Sequence, residues 1–260
     1  MPLYATAPDG VRIAYEIAGD GARTIVLVHG FASDRVQNWK APGWYGVLNG
    51  AGYRVVALDN RGHGESGKPH DPQMYGHMKM ADDVIAVMDA AGAGAAALMG
   101  YSMGGYIAMS LLLRHPERFT RVIIGGVGAS YLDMAAAAHS TASAARRAMI
   151  ADGLEAEDPS AITDRTVREF RAFADQGGKD RIALAACMRG NRDSFTAVEL
   201  AKSTRPVLVV CGETDALTGP PGPLAAAFAD GRAVVVAKRD HMLTVGDKVY
   251  KEAVLDFLSS

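Results

Sequence analysis

The sequence predicts a doubly wound α/β fold, in which a mostly parallel sheet carries helices on both faces. Short, mostly apolar runs recur at Ile25–Val28, Tyr53–Leu58, Ala95–Met99, Val122–Ile124, Val207–Val210 and Ala233–Val236. Strands read this way when both of their faces are covered, because no side of them has to meet water. Stretches with helical spacing lie between the runs, and such alternation implies a parallel sheet. The chain has 260 residues, 49% of them hydrophobic and 22% charged, which suits one globular α/β domain spanning 1–260.

The first element is a hairpin: Tyr4–Thr6 and Val11–Ala18 flank the turn signal Pro8-Asp9-Gly10. Val11–Ile17 partly alternates apolar and polar residues, as an edge strand with one wet face does. Met80–Ala91 carries Val84, Ile85, Val87 and Met88 on one side, and so reads as a helix. Gly105–Leu113 is a second helix, stopped at Arg114-His115-Pro116. Near the C-terminus Val245, Val249, Ala253 and Phe257 recur every fourth residue, the stripe of a helix packed on a sheet. The long stretch between Val122 and Val207 has no strand signal. Met134–Ile150 is Ala-rich, Thr163–Asp175 sets Val167, Phe170 and Phe173 or Ala174 on one stripe, and Arg181–Met188 and Ser194–Lys202 read as short helices. This is a helical cap inserted at about 130–204.

Composition excludes several classes. The formal net charge is −2 with no basic track, so neither nucleic acid nor an anionic membrane surface is expected as a partner. Cys187 and Cys211 stand singly among mostly apolar neighbours, as buried free thiols of a reducing compartment do. No CxxC, HExxH or His-rich tract offers a metal site, and no cofactor is expected. The N-terminal residues lack the basic start and apolar core of a secretory signal, so the expected location is cytoplasmic. Ala90–Leu113 is uncharged and long enough to cross a bilayer, but glycines at 92, 94, 100, 104 and 105 break it, and a buried strand followed by a buried helix is expected instead. Gly62-x-x-x-x-Gly67-Lys68 resembles a phosphate loop, but Pro69 replaces the required Ser or Thr.

Parallel sheets present their chemistry just past the C-terminal ends of the strands. The residues there are His29-Gly30-Phe31, Asp59 to Ser66, Gly100-Tyr101-Ser102-Met103-Gly104, Cys211 to Asp215, and Ala237 to His241. The third group reads G-x-S-x-G between a strand and a helix, where the serine takes a strained turn and the glycines avoid collisions with neighbouring backbone. One serine, one acid and one histidine thus leave the same edge in the order Ser102, Asp215, His241.

With these motifs the sequence resembles the α/β-hydrolase superfamily, serine carboxylesterases in particular, over nearly its whole length. The matching features are His29-Gly30, Asp59-x-Arg61-Gly62-x-Gly64-x-Ser66, Gly100-x-Ser102-x-Gly104, Gly212-x-x-Asp215 and the late His241. The resemblance implies that Ser102 is the nucleophile, His241 the general base and Asp215 the residue that orients the imidazole. It further implies an oxyanion hole made by the backbone N–H groups of Phe31 and Met103. Histidines 29, 63, 70, 77, 115 and 139 are rivals of His241, and Glu213 and Asp133 are rivals of Asp215; Asp59 and Arg61 read as loop braces.

Phe31, Trp39, Tyr101, Met103, Tyr131 and Met242 form the candidate substrate-binding set, with Trp44, Tyr45 and Met134 as further apolar contributors. The expected substrate is a small apolar ester, cleaved through an acyl-enzyme. By the same resemblance a lactonase, a C–C bond hydrolase or a cofactor-free perhydrolase could use the triad, whereas relatives acting on epoxides or haloalkanes carry aspartate where this chain has Ser102. A non-catalytic small-molecule receptor built on the same fold is the alternative of another class.

Overall fold

A computed structural model describes residues 1–136, 141–191 and 194–260. Among them eight strands form one sheet: Leu3–Thr6 (β1), Arg12–Ala18 (β2), Arg23–Val28 (β3), Tyr53–Leu58 (β4), Ala96–Tyr101 (β5), Phe119–Gly125 (β6), Val207–Gly212 (β7) and Gly231–Val236 (β8). Their spatial order is β1-β2-β4-β3-β5-β6-β7-β8. β2 runs antiparallel to β1 and to β4, and every other pairing is parallel. The expected doubly wound sheet is therefore present, with the predicted hairpin at one edge.

Helices cover both faces. Trp44–Gly50 (α1), His77–Ala90 (α2) and Met103–Arg114 (α3) follow β3, β4 and β5; Ser130–Ala136 (α4), Thr141–Glu155 (α5), Arg165–Ala174 (α6), Arg181–Arg189 (α7) and Ala197–Leu200 (α8) lie between β6 and β7; Pro221–Ala226 (α9), His241–Thr244 (α10) and Lys248–Ser259 (α11) complete the chain. The stretch Ala90–Leu113 resolves into the end of α2, then β5 and α3, and no helix among the described residues is long and apolar enough to cross a membrane.

Strand parity sorts the buried side chains into two layers. Val26, Val28, Val56, Leu58, Ala96 and Leu98 face the side covered by α2 and α3, with Val84, Ile107 and Leu111. Ile25, Leu27, Val55, Ala57, Ala97, Met99 and Tyr101 face the other side, against Trp44 and Leu48 of α1 and Tyr250, Val254 and Phe257 of α11. A third cluster belongs to the inserted helices: Ile150, Leu154, Val167, Leu184 and Met188 pack with Ala32, and Phe31 and Phe170 lie against it. Three of these helical starts are capped by side chains, Asp164 to the Val167 N–H, Asp180 to Ala183 and Thr196 to Glu199, which satisfies donors that a helix cannot satisfy itself.

The Asp59–Ser66 segment is braced as expected. The Arg61 guanidinium spans both Asp83 oxygens at 2.6 and 2.7 Å and also reaches Asp9. Asp59 accepts from the Arg35 guanidinium and from the Arg35 and Glu65 amides. Lys68, the residue of the phosphate-loop look-alike, donates instead to the Gly64 and Ser66 carbonyls.

Candidate active site

β3 leads through α1 to β4 on one side, whereas β4 leads through α2 to β5 on the other side of β3. The strand order therefore reverses between β3 and β5, and the crevice at such a switch point is where open α/β sheets hold ligands. The two loops that flank it are Gly30-Phe31, after β3, and Ser102, after β5.

Ser102 alone connects β5 to α3. It sits at φ 52° and ψ −115°, a conformation that costs about 1–3 kcal/mol for a residue with a Cβ. Surrounding hydrogen bonds hold it there: its N–H donates to Gly125 O at 2.8 Å, and its carbonyl accepts from Gly105 at 2.8 Å and Tyr106 at 3.2 Å. The glycines do the expected steric work. A Cβ on Gly100 would overlap the Gly104 carbonyl and stand 2.8 Å from the Gly105 nitrogen; one on Gly104 would overlap the Val28 carbonyl and stand 2.9 Å from that of His29. A Cβ on Gly30 would lie 3.3 Å from the Ser102 Cβ, so the loop after β3 lies directly against the serine.

Asn38 pins that loop, its Oδ1 accepting from the Gly30 N–H at 3.0 Å. The next N–H, that of Phe31, makes no backbone hydrogen bond among the described residues. Met103 opens α3, and the first N–H of a helix has no acceptor within it. The Met103 N–H stands at the positive end of the α3 dipole, next to Ser102 in the chain, and the Phe31 N–H follows Gly30 in the loop that lies against Ser102. Asn38 carries no sequence signal: it lies in a single π-helical turn, Val36–Lys40, with no periodicity.

His241 donates from Nδ1 to Asp215 Oδ2 at 2.7 Å, and the other Asp215 oxygen accepts from the Leu217 N–H at 3.0 Å. The imidazole comes close to β6 and the elbow: a Cβ on Gly126 would stand 3.0 Å from His241 Cε1, and the Tyr101 hydroxyl donates to the His241 carbonyl at 2.5 Å. Burial works to raise the Asp215 pKa, but the hydrogen bond and charge of His241, the Leu217 amide and the Thr218 hydroxyl outweigh it and hold the carboxyl below its ordinary 3.8. A carboxyl depressed in the folded state adds stability above its unfolded pKa, and that stability is lost as pH falls through the folded value. Asp215→Asn is therefore expected to lower Tm at neutral pH, with the gap to wild type narrowing as pH falls below 3.8. Thermal melts on both sides of that pH check this; a gap of constant size would contradict it.

The rival residues stand elsewhere. His29 is fully buried with both ring nitrogens engaged, Nδ1 donating to Gly30 O and Nε2 accepting from the Asn60 N–H; burial lowers its pKa. His63 donates from Nδ1 to Arg61 O, and burial pushes it down to about 3. His70 pairs with Asp180, His77 stacks on Tyr106, and His115 lies 3.8 Å from Glu117. His139 lies outside the described residues. Glu213 accepts from the Lys238 N–H and Asp133 is exposed on α4.

The substrate-binding set divides. Phe31 is half-buried between His63 and Phe170 of α6, at 5.7 and 5.8 Å between ring centres, and Met242 is exposed beside His241. The other four are buried. Trp39 is fully enclosed against Trp44, Tyr101 faces the α11 layer, and Tyr131 accepts from the Phe195 N–H at 2.6 Å. The Met103 side chain lies under α7, where the Cys187 thiol meets its sulfur at 3.9 Å. Trp44 and Tyr45 are also core, and the Met134 side chain lies outside the described residues. These side chains therefore do not assemble into the single apolar pocket expected of them. A cavity of about 410 Å³ lies between the strand-end loops and residues 176–184; its lining mixes His63, Lys68, Lys179 and Gln37 with Leu184 and includes none of Ser102, Asp215 and His241.

Residues 23–149 match the alpha/beta hydrolase fold family. Epoxide hydrolase B of Mycobacterium tuberculosis is 35% identical over 105 residues, 38% of this chain and 27% of that one. The chain spans less than a third of the length of the curated relatives that it matches first. A hydrolase from Pseudomonas aeruginosa superimposes with a TM-score of 0.74 at 27% identity, covering 100% of this chain and 98% of the other. The enol-lactonase of Burkholderia xenovorans does so with 0.71 at 26%, covering 99% and 100%. A sequence match over the stretch that carries the Ser102 turn, joined to a likeness in three dimensions from end to end, gives this chain the alpha/beta hydrolase fold.

Proposed function

We propose that this chain is a serine hydrolase that cleaves carboxylic esters through an acyl-enzyme. The observation that carries the reading is the 2.7 Å bond from His241 Nδ1 to Asp215 at the sheet edge where Ser102 is held at positive φ. Bonding at Nδ1 leaves Nε2 as the nitrogen that can accept a proton, which a serine hydroxyl must lose to attack a carbonyl carbon. Asp215 holds that tautomer and stabilises the imidazolium as it forms. The oxygen that becomes negative is met by the N–H groups of Met103 and Phe31. Collapse of the tetrahedral intermediate expels the alcohol, which takes the proton from His241. Water then attacks the acyl-serine by the same route, releasing the acid.

A lactone is an ester closed on itself, and the likeness to an enol-lactonase supports testing cyclic substrates beside open ones. An epoxide is a different matter: relatives opening it use a carboxylate, and position 102 offers a hydroxyl. The test is a panel of p-nitrophenyl esters and lactones, together with labelling by a serine-reactive phosphonate. Turnover of an ester or lactone with stoichiometric labelling is the expected result. A folded protein that neither turns over nor is labelled would favour the receptor reading.

A further inference from the structure

We propose that Tyr101 is a positioning residue for His241, its phenol setting the spacing between nucleophile and base by gripping the main chain of the base. This rests on the assignment of Ser102 and His241 above.

Apart from Thr244, which is fully buried, the segment that carries His241 has little burial to hold it. Lys238, Arg239 and Asp240 are exposed, Met242 and Leu243 are more than half exposed, and Lys238 sits at φ 58°. His241 opens α10, a helix of only four residues, and one turn contributes little stability of its own. The ties of this segment run largely to the loop after β7: Thr214 N–H to Arg239 O, Lys238 N–H to Glu213, and the imidazole to Asp215. Those bonds join acid and base into one unit. They do not set where that unit stands relative to the serine.

The Tyr101 bond crosses that gap. Tyr101 is the last residue of β5, next to Ser102 in the chain, and is 4% exposed. Its hydroxyl donates to the His241 carbonyl at 2.5 Å and its ring centre lies 5.4 Å from that of the imidazole. The room for this is made by absent side chains. A Cβ on Gly126 would stand 3.0 Å from both His241 Cε1 and Tyr101 Cζ, and one on Gly125 would overlap the Tyr250 hydroxyl and stand 2.7 Å from Tyr101 Cδ2. Burial pushes the Tyr101 phenol further above 10, so it stays a donor through the pH range of ester hydrolysis. Nucleophile and base are thus linked by one side chain whose own backbone adjoins the serine, and a small misplacement of either costs rate steeply.

The experiment is Tyr101→Phe, which keeps the buried ring and removes the donor. With a p-nitrophenyl ester, kcat is expected to fall about tenfold, with KM within about twofold of wild type, as misplacement of a base rather than loss of binding predicts. The low-field proton resonance of the His241 Nδ1–H shared with Asp215 is expected to shift or broaden. Incorporation of 4-aminophenylalanine at 101, which restores a donor at the same place, is expected to recover most of the kcat. An unchanged kcat overturns the proposal. So does a loss that only tracks the folded fraction and leaves the histidine resonance unmoved, or one that the amino analogue does not rescue. Turnover that survives Ser102→Ala would be the failure of the underlying assignment, read independently of Tyr101, and would remove this inference with it.

Discussion

Ser102→Ala is expected to lower ester turnover by roughly 10⁴-fold or more, with Tm close to wild type. A 10⁴-fold loss corresponds to about 5.4 kcal/mol of transition-state stabilisation, far more than any hydrogen bond of the folded protein contributes. The two readouts separate because of how the side chain is placed. Its hydroxyl makes no capping bond to α3, so deleting it strands no donor of that helix. Alanine keeps the Cβ and hence the same backbone strain at φ 52°. Residual activity from the two backbone donors is expected to remain above the uncatalysed rate. A variant that keeps most of its rate, measured on protein free of wild-type contamination, would refute the nucleophile assignment.

Gly104→Ala is expected to have the largest effect on stability. The added methyl would meet the carbonyl of Val28 and the main chain of His29, and β3 is paired on both sides, to β4 and β5, so it cannot give way without loosening the middle of the sheet. Overpacking against side chains costs about 1–3 kcal/mol. Against fixed backbone the cost is expected at or above the top of that range, a large share of the ~5–15 kcal/mol that holds a typical protein folded. Tm should fall by roughly 6–12 °C for ~3 kcal/mol in a chain of this size. Gly222→Ala in α9 is the control, because a Cβ there meets nothing within 4 Å; it should be neutral or stabilise by up to about 1 kcal/mol. Equal Tm for the two variants would contradict the steric account of the elbow.

The strands and the residues past their ends were legible because a parallel sheet writes both into the sequence: apolar runs mark the strands, and polar residues follow where the backbone leaves the core. All eight strands lie where the runs and the hairpin signal put them, to within a few residues. The side to which a residue points was not legible, for the same reason. In β5 every position is buried, so no alternation tells Leu98 from Met99, and Tyr101 could be assigned to a pocket when its parity puts it in the layer beneath α11. Trp39 was unreadable for another reason: it lies in a one-turn π-helix that has no sequence period. Short helices were also missed, among them α1, α9 and the four-residue α10. α1 contains Gly46 and Gly50, and α9 holds Pro221, Gly222 and Pro223, compositions that read as loop by propensity. Asp164, Asp180 and Thr196 cap the starts of α6, α7 and α8, a local signal, whereas nothing local tells what those helices rest on.

The helices between β6 and β7 touch the reactive edge through side chains such as Phe170 against Phe31 and Cys187 against Met103, while the proposed chemistry is supplied by strand ends from either side of them. On the proposed function, reaction and selectivity would be encoded in separable lengths of polymer. A foreign lid grafted between residues 129 and 205 would keep the cutting apparatus and change what is admitted to it, so diversification of such a catalyst can proceed by exchange of one cassette.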